Sequence, residues 1–293
     1  MPPELAGDML LPQARRLENR TRTRGHDRAR ISLIGSRGCV WGLALTILTG
    51  CSTLPEPERV ALRQAAQDYT AGRRARAVPV LDRIIRDYPQ MSEVAEAFYV
   101  RGLCHAAEGR QDQAVRDFER AIRQSKRDDL TARAQASRAA IAYRQGDWRT
   151  AADFYARATR KLPDEPPTDE ILFCAGVSLQ RVGRWDEARL RFGRILRTFA
   201  SGPIAAQARR LATWRHPYYA IQLGAFEQVD GAADAVRKYR QANLAAMEEN
   251  LPRNGKAMWV VMAGQYRTYA DARAALSQAR QVQPQAFIIP RVN

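Results

Sequence analysis

One short pattern returns at a fixed interval through the middle of the chain. "GRRARA" begins at Gly72, "GRQDQA" at Gly109, "GDWRTA" at Gly146 and "GRWDEA" at Gly183, each glycine 37 residues after the last. The closing alanines keep that interval: Ala77, Ala114, Ala151 and Ala188. So do a large residue one turn on (Leu81, Phe118, Tyr155, Phe192) and a smaller one after it (Ile84, Ala121, Ala158, Ile195). Seven residues before each glycine stands a small residue: Ala65, Gly102, Ala139 or Gly176. This spacing predicts paired helices. The glycine ends the first helix and turns the chain. The alanine lets the second helix come close, and the two residues that follow fill the groove between helices. One pair cannot bury its own apolar face, whereas a stack of four can.

Over about residues 58–200 the pattern resembles the tetratricopeptide repeat (TPR). That repeat is usually three residues shorter, so longer linkers are expected here. Pro89 and Pro163 close the first and third units as the family would, while its leading tryptophan is replaced by Ala61, Phe98 and Leu172. "PIAAQARRLATW" reads as a capping helix, giving an all-α solenoid over 59–215. The resemblance implies a concave surface that takes a protein partner, whose identity the sequence does not reveal. Trp148 and Trp185 follow the turn glycines, where packing between units and contact with a partner both remain open readings.

From His216 the periodicity changes. "YAIQLGAF" alternates as a strand, "VDGAADAVRKYRQ" has helical spacing, and "AMWVVMAG" is a second clear strand. "TYADARAALSQARQ" is a second helix and "AFIIP" a last short strand. "LAAMEE" has helical propensity and is assigned as a strand only because the halves mirror each other; "LPRNGK" after it reads as a turn. The order βαββαβ gives an α+β, ferredoxin- or RNP-like domain over 217–291. It resembles the SPOR (sporulation-related) domain, carried by Tyr219, Ile221, Gln222, Leu223, Gly224, Ala225 and Phe226. The second half contributes Trp259, Val261, Gly264 and Tyr266.

That resemblance implies binding of peptidoglycan, with a preference for glycan strands stripped of stem peptides, on the sheet face away from the helices. By alternation Ile221, Leu223, Trp259, Val261 and Ala263 face the helices. Ala220, Gln222, Met258, Val260 and Met262 then share the other face, and Phe287 on the last strand can stack on a sugar. The Gln222 amide can donate to and accept from sugar hydroxyls and acetamido groups. The chain departs from the family in being apolar on both faces of its central strand, as strands buried on both sides are. It also has "GQY" where "GPF" is usual. A cover formed by the solenoid, a terminal segment or a partner would explain the first departure.

Residues 39–51, "CVWGLALTILTGC", form an apolar run preceded by Arg28, Arg30 and Arg37. Basic, then apolar, then small is the order of an export signal, and the run is short of the ~20 residues that span a bilayer. Its end, Leu48-Thr49-Gly50-Cys51, resembles the lipobox of bacterial lipoproteins. That implies a leader over 1–50, lipidation of Cys51 and membrane attachment through the lipid. Ser52 in place of aspartate implies the outer membrane, facing the periplasm. Residues 51–58 are then a short, stiff tether.

The net charge is +16, and all but four of the basic residues are arginine. Such a balance favours anionic partners such as lipid head groups, wall carboxylates or nucleic acid. Nucleic acid is the weakest of these: RNA-recognition sheets need aromatics that "AMWVVMAG" lacks, and an export signal points away from it. No GxSxG, HExxH or phosphate-loop pattern is present. His26, His105 and His216 are scattered, and the four cysteines suit neither a disulfide framework nor a zinc site. Asp164, Glu165, Asp169 and Glu170 read as a charge cluster at a helix start. The expectation is therefore a non-enzymatic envelope protein without cofactor or metal. It holds peptidoglycan with one domain and a protein with the other, in cell division or envelope organisation. The alternative is an outer-membrane assembly scaffold acting mainly through the solenoid.

Overall fold

The computed structural model describes residues 53–253 and 256–291. The expected leader, Ser52 and Cys51, the expected lipidation site, lie outside them. Nine helices precede the sheet among the described residues: α1 (Glu56–Thr70), α2 (Arg74–Asp87), α3 (Val94–Ala107), α4 (Gln111–Gln124), α5 (Asp128–Gln145), α6 (Trp148–Ala158), α7 (Thr168–Arg181), α8 (Trp185–Thr198) and α9 (Ala205–Ala212). They form four antiparallel pairs and a cap. The first helices of successive units pack on one another, α1 on α3, α3 on α5 and α5 on α7, which places them on the inner side of the stack.

The recurring residues do what their spacing requires. Gly72, Gly109, Gly146 and Gly183 all adopt left-handed backbone, with φ between 75° and 79°. Only glycine takes this conformation without a steric cost, and it lets the chain reverse between the helices of a pair. Ala77, Ala114, Ala151 and Ala188 are fully buried, as are Leu81, Phe118, Tyr155 and Phe192. The small residue of the first helix is matched to the large one of the second. A Cβ on Gly102 would stand 2.8 Å from the Phe118 ring, and one on Gly176 2.5 Å from the Phe192 ring. In the other two units the partners are Leu81 and Tyr155, and alanine stands in the small position. Asp169 and Glu170 lie in the first turn of α7, where their charge suits the helix dipole.

The sheet holds β1 (Tyr219–Phe226), β2 (Ala246–Arg253), β3 (Lys256–Tyr266) and β4 (Phe287–Ile289), ordered β2-β3-β1-β4 with every neighbouring pair antiparallel. Two helices, α10 (Val229–Gln241) and α11 (Tyr269–Val282), cross one face. The ambiguous segment is a strand, but it starts at Ala246 and runs through "NLPR", so the first half of the stretch read as a turn belongs to β2. Pro252 is tolerated there because β2 is an edge strand.

The two halves repeat each other in detail. The Arg240 Nε donates to the Ala246 carbonyl at 2.8 Å, and the Arg280 Nε to the Ala286 carbonyl at 3.1 Å, six residues on in both cases. Each arginine closes the turn from a helix into its following strand. In both halves an aromatic two residues after a glycine, Phe226 or Tyr266, folds back over Gly224 or Gly264.

Helical stack and sheet are joined by buried contacts. Trp185, at the start of α8 and 4% exposed, donates its indole N–H to the Arg267 carbonyl at 3.0 Å. Its ring meets that of Tyr219 edge-on at 4.8 Å. Gly183 lies so close to Arg267 that a Cβ would stand 2.9 Å from its side chain. The Arg181 guanidinium sits between two rings, 4.3 Å from Trp148 and 3.8 Å from Tyr269. Both tryptophans after the turn glycines are thus packing residues. Trp148 meets Tyr143 within its own unit, and Trp185 holds the sheet.

Candidate functional site

Strand alternation sorts the sheet as the sequence implies. Ile221, Leu223, Val261 and Ala263 are buried in one cluster with Ala232, Val236 and Tyr239 of α10, and Trp259 packs against it. Ala220, Val260, Met262 and Ile289 belong to a second cluster. Cross-strand pairing completes that second face, because directly opposed residues share a side. Met247 lies opposite Met262, Glu249 opposite Val260 and Leu251 opposite Met258, while Gln222 lies opposite both Met262 and Phe287. All six residues expected to bind glycan therefore come together on one face.

The face expected to be an open glycan surface is covered, the outcome that the apolar character of both faces of β3 had left open. Ala220, Val260 and Met262 are fully buried, and Gln222 is 6% exposed; Met258 and Phe287 are half-buried. Buried in the same cluster are Trp185 and Trp214, from the end of the helical stack. The segment joining stack to sheet supplies three rings in a row. His216 meets Trp214 edge-on at 4.9 Å and stacks on Tyr218 at 4.8 Å. The His216 Nε2 lies 2.8 Å from the Glu249 carboxylate. Since Glu249 stands opposite Val260, this bond carries the joining segment across the face to edge strand β2. The Trp214 indole N–H donates to the Tyr218 carbonyl at 2.8 Å and fixes the bend. Phe287, expected to stack on a sugar, instead has the Arg291 guanidinium 3.4 Å from its ring centre.

The rings of this cover went unread in the sequence, although a signal was present. Trp214, His216 and Tyr218 occupy alternate positions, as side chains on one side of an extended segment do. Tyr219 belongs to the second cluster, its ring meeting Trp185 and also Tyr269 at the head of α11. Burial pushes its hydroxyl pKa up, and the hydroxyl oxygen has no hydrogen-bond partner.

Comparison with known families fits this architecture. Residues 216–290 match the SPOR domain model, and residues 62–129 and 112–166 match a tetratricopeptide repeat model. The chain carries tetratricopeptide repeats and a C-terminal SPOR domain. The SPOR domain points to peptidoglycan and the cell envelope, and the TPR units to contacts with protein. Both are non-catalytic binding modules. No curated protein matches the chain. Among the described residues no helix is long and apolar enough to cross a membrane.

The buried thiols are inert by environment. Burial pushes Cys104 and Cys174 each up to about 12, far from the range of a nucleophile at neutral pH. Burial pulls the His105 pKa down, so its ring is neutral near pH 7.

Proposed function

We propose that the protein is a non-enzymatic lipoprotein of the cell envelope, anchored through Cys51 in the outer membrane and facing the periplasm. Its SPOR domain (217–291) holds denuded glycan strands of peptidoglycan, as found at division septa, and its TPR units (59–215) recruit a protein partner. The observation that carries this reading is the SPOR match at 216–290 on a sheet of the corresponding topology. Gln222, Ala220, Met258, Val260, Met262 and Phe287 form the glycan face once the joining segment carrying Trp214 and His216 has moved away. Glycan binding is thereby coupled to the position of the helical stack, and a partner that pulls on the stack opens the face.

The test is a pull-down of the protein on purified sacculi, with and without prior amidase stripping of stem peptides. Binding that rises on stripping and falls in Gln222→Ala supports the reading. Labelled palmitate that enters the wild type but not Cys51→Ala supports the anchor. The closed face favours a second reading, an outer-membrane assembly scaffold working mainly through the helical stack. In that case sacculi retain neither the wild type nor variants whose cover has been loosened.

A further inference from the structure

A groove unrelated to the sheet runs along the outer side of the first two units, between α2 and α4 with α3 as its floor. Its cavity volume is about 670 Å³, within the range of small-ligand and short-peptide sites. Four arginines (Arg101, Arg110, Arg116, Arg120) line it against two carboxylates, Asp82 and Asp117. Both carboxylates are already engaged. Arg101 grips Asp117 through two bonds at 2.6 and 2.9 Å and reaches Asp82 at 2.6 Å. Arg116 and Arg120 are exposed, stand one helical turn apart on α4, and have no ion-pair partner among the described residues. The groove thus carries unspent positive charge beside an apolar wall of Val78, Ile85 and Phe98.

Two buried atoms beside it lack a hydrogen-bond partner. His105 is 9% exposed, and its Nδ1 lies 3.2 Å from Asp117 without the geometry of a hydrogen bond. The Gln124 Oε1 is buried and unbonded, while its amide nitrogen reaches the Pro89 carbonyl at 3.4 Å.

We propose that this groove binds an acidic, extended protein segment carrying an apolar side chain. Its carboxylates meet Arg116 and Arg120, and its apolar side chain lies against Val78, Ile85 and Phe98. A phosphate head group would satisfy the arginines but brings no short apolar side chain to the wall of Val78, Ile85 and Phe98. The proposal deepens the reading that the helical units take a protein partner: it names the partner's chemistry and places it on the outer side of units one and two.

The probe is a fluorescein-labelled octapeptide of glutamate and aspartate with two interspersed leucines, followed by anisotropy against the full chain. Arg116→Glu combined with Arg120→Glu is expected to weaken binding at least tenfold. Arg197→Glu combined with Arg209→Glu, which changes the net charge equally at exposed sites elsewhere, is expected to leave it within twofold. Binding should also weaken steeply with salt, since exposed charges are screened beyond about 8 Å at physiological ionic strength. Equal loss in both double variants would reduce the effect to overall charge and overturn the proposal. So would failure of the peptide to bind. Retention on phosphatidylglycerol vesicles that depends on Arg116 and Arg120 and is not competed by the peptide would assign the groove to lipid instead. Sacculus pull-down of the same variants is read through the sheet, so failure here is distinguishable from failure of glycan binding.

Discussion

Replacing Trp214 by alanine removes the ring that holds the joining segment over the candidate glycan face. Trp214 is 8% exposed, packs against His216 and closes the bend through Tyr218. Truncating a buried tryptophan costs about 3–5 kcal/mol. The lost bond to the Tyr218 carbonyl accounts for about 1 kcal/mol of that. The ring is buried in the cluster that joins stack and sheet, so the loss falls mainly on the closed arrangement. Every 1.4 kcal/mol is a factor of ten, so a cost of about 3 kcal/mol raises the ratio of open to closed by about 100. When only the open form binds, apparent affinity scales with its population. Retention on stripped sacculi should then rise by up to about 100-fold, levelling off once the open form dominates. The assay is a sacculus titration of wild type, Trp214→Ala and Trp214→Phe, with near-UV circular dichroism to show that each remains folded. Unchanged binding by folded Trp214→Ala would refute the idea that the segment gates the face. A fall in binding would mean that Trp214 itself touches glycan, and refutes it equally.

Other expectations follow from single observations. Tyr219→Phe removes a buried hydroxyl that lacks a partner; unpaired buried polar groups cost about 1–3 kcal/mol, so urea denaturation should show a variant at least as stable as wild type. Gly176→Ala drives a methyl into the Phe192 ring and should destabilise the chain by about 1–3 kcal/mol, whereas adding Phe192→Leu should recover part of the loss. At Asp129, burial pushes the carboxyl pKa up, but a hydrogen bond from Arg127 and the charges of Arg127 and Arg133 outweigh it and hold the pKa at about 2, against an ordinary 3.8. A depressed carboxylate stabilises the fold above its unfolded pKa and loses that contribution as pH falls through its folded one. The difference in melting temperature between wild type and Asp129→Asn should therefore be constant above about pH 4 and fade toward pH 2; a difference independent of pH would refute the pairing.

The helical units were legible because their information is local and repeated. A glycine at the left-handed position, an alanine at the close approach and a large residue one turn later are set by backbone sterics and helix period alone. Those constraints show in the residues themselves. The βαββαβ order was legible for the same reason wherever alternation was strong. β2 was harder: "LAAMEE" prefers a helix on its own and becomes an edge strand because β3 offers it a hydrogen-bonding partner. Pairing between Met247 and Met262 is tertiary information that neither segment carries alone.

Which residues share the candidate glycan face was determined by the sequence, since a period of two assigns Gln222, Val260 and Met262 to one side whatever surrounds them. Whether that side meets water was decided only by the fold. The apolar character of both faces of β3 signalled that something covers it, but the cover is built by residues far apart in sequence. Trp185 approaches Arg267 across 82 residues, and His216 reaches Glu249 across 33. Alternation within a strand is a property of the chain's own geometry. Burial of a face depends on how the helical stack and the sheet dock, which is set by contacts between residues far apart in the chain.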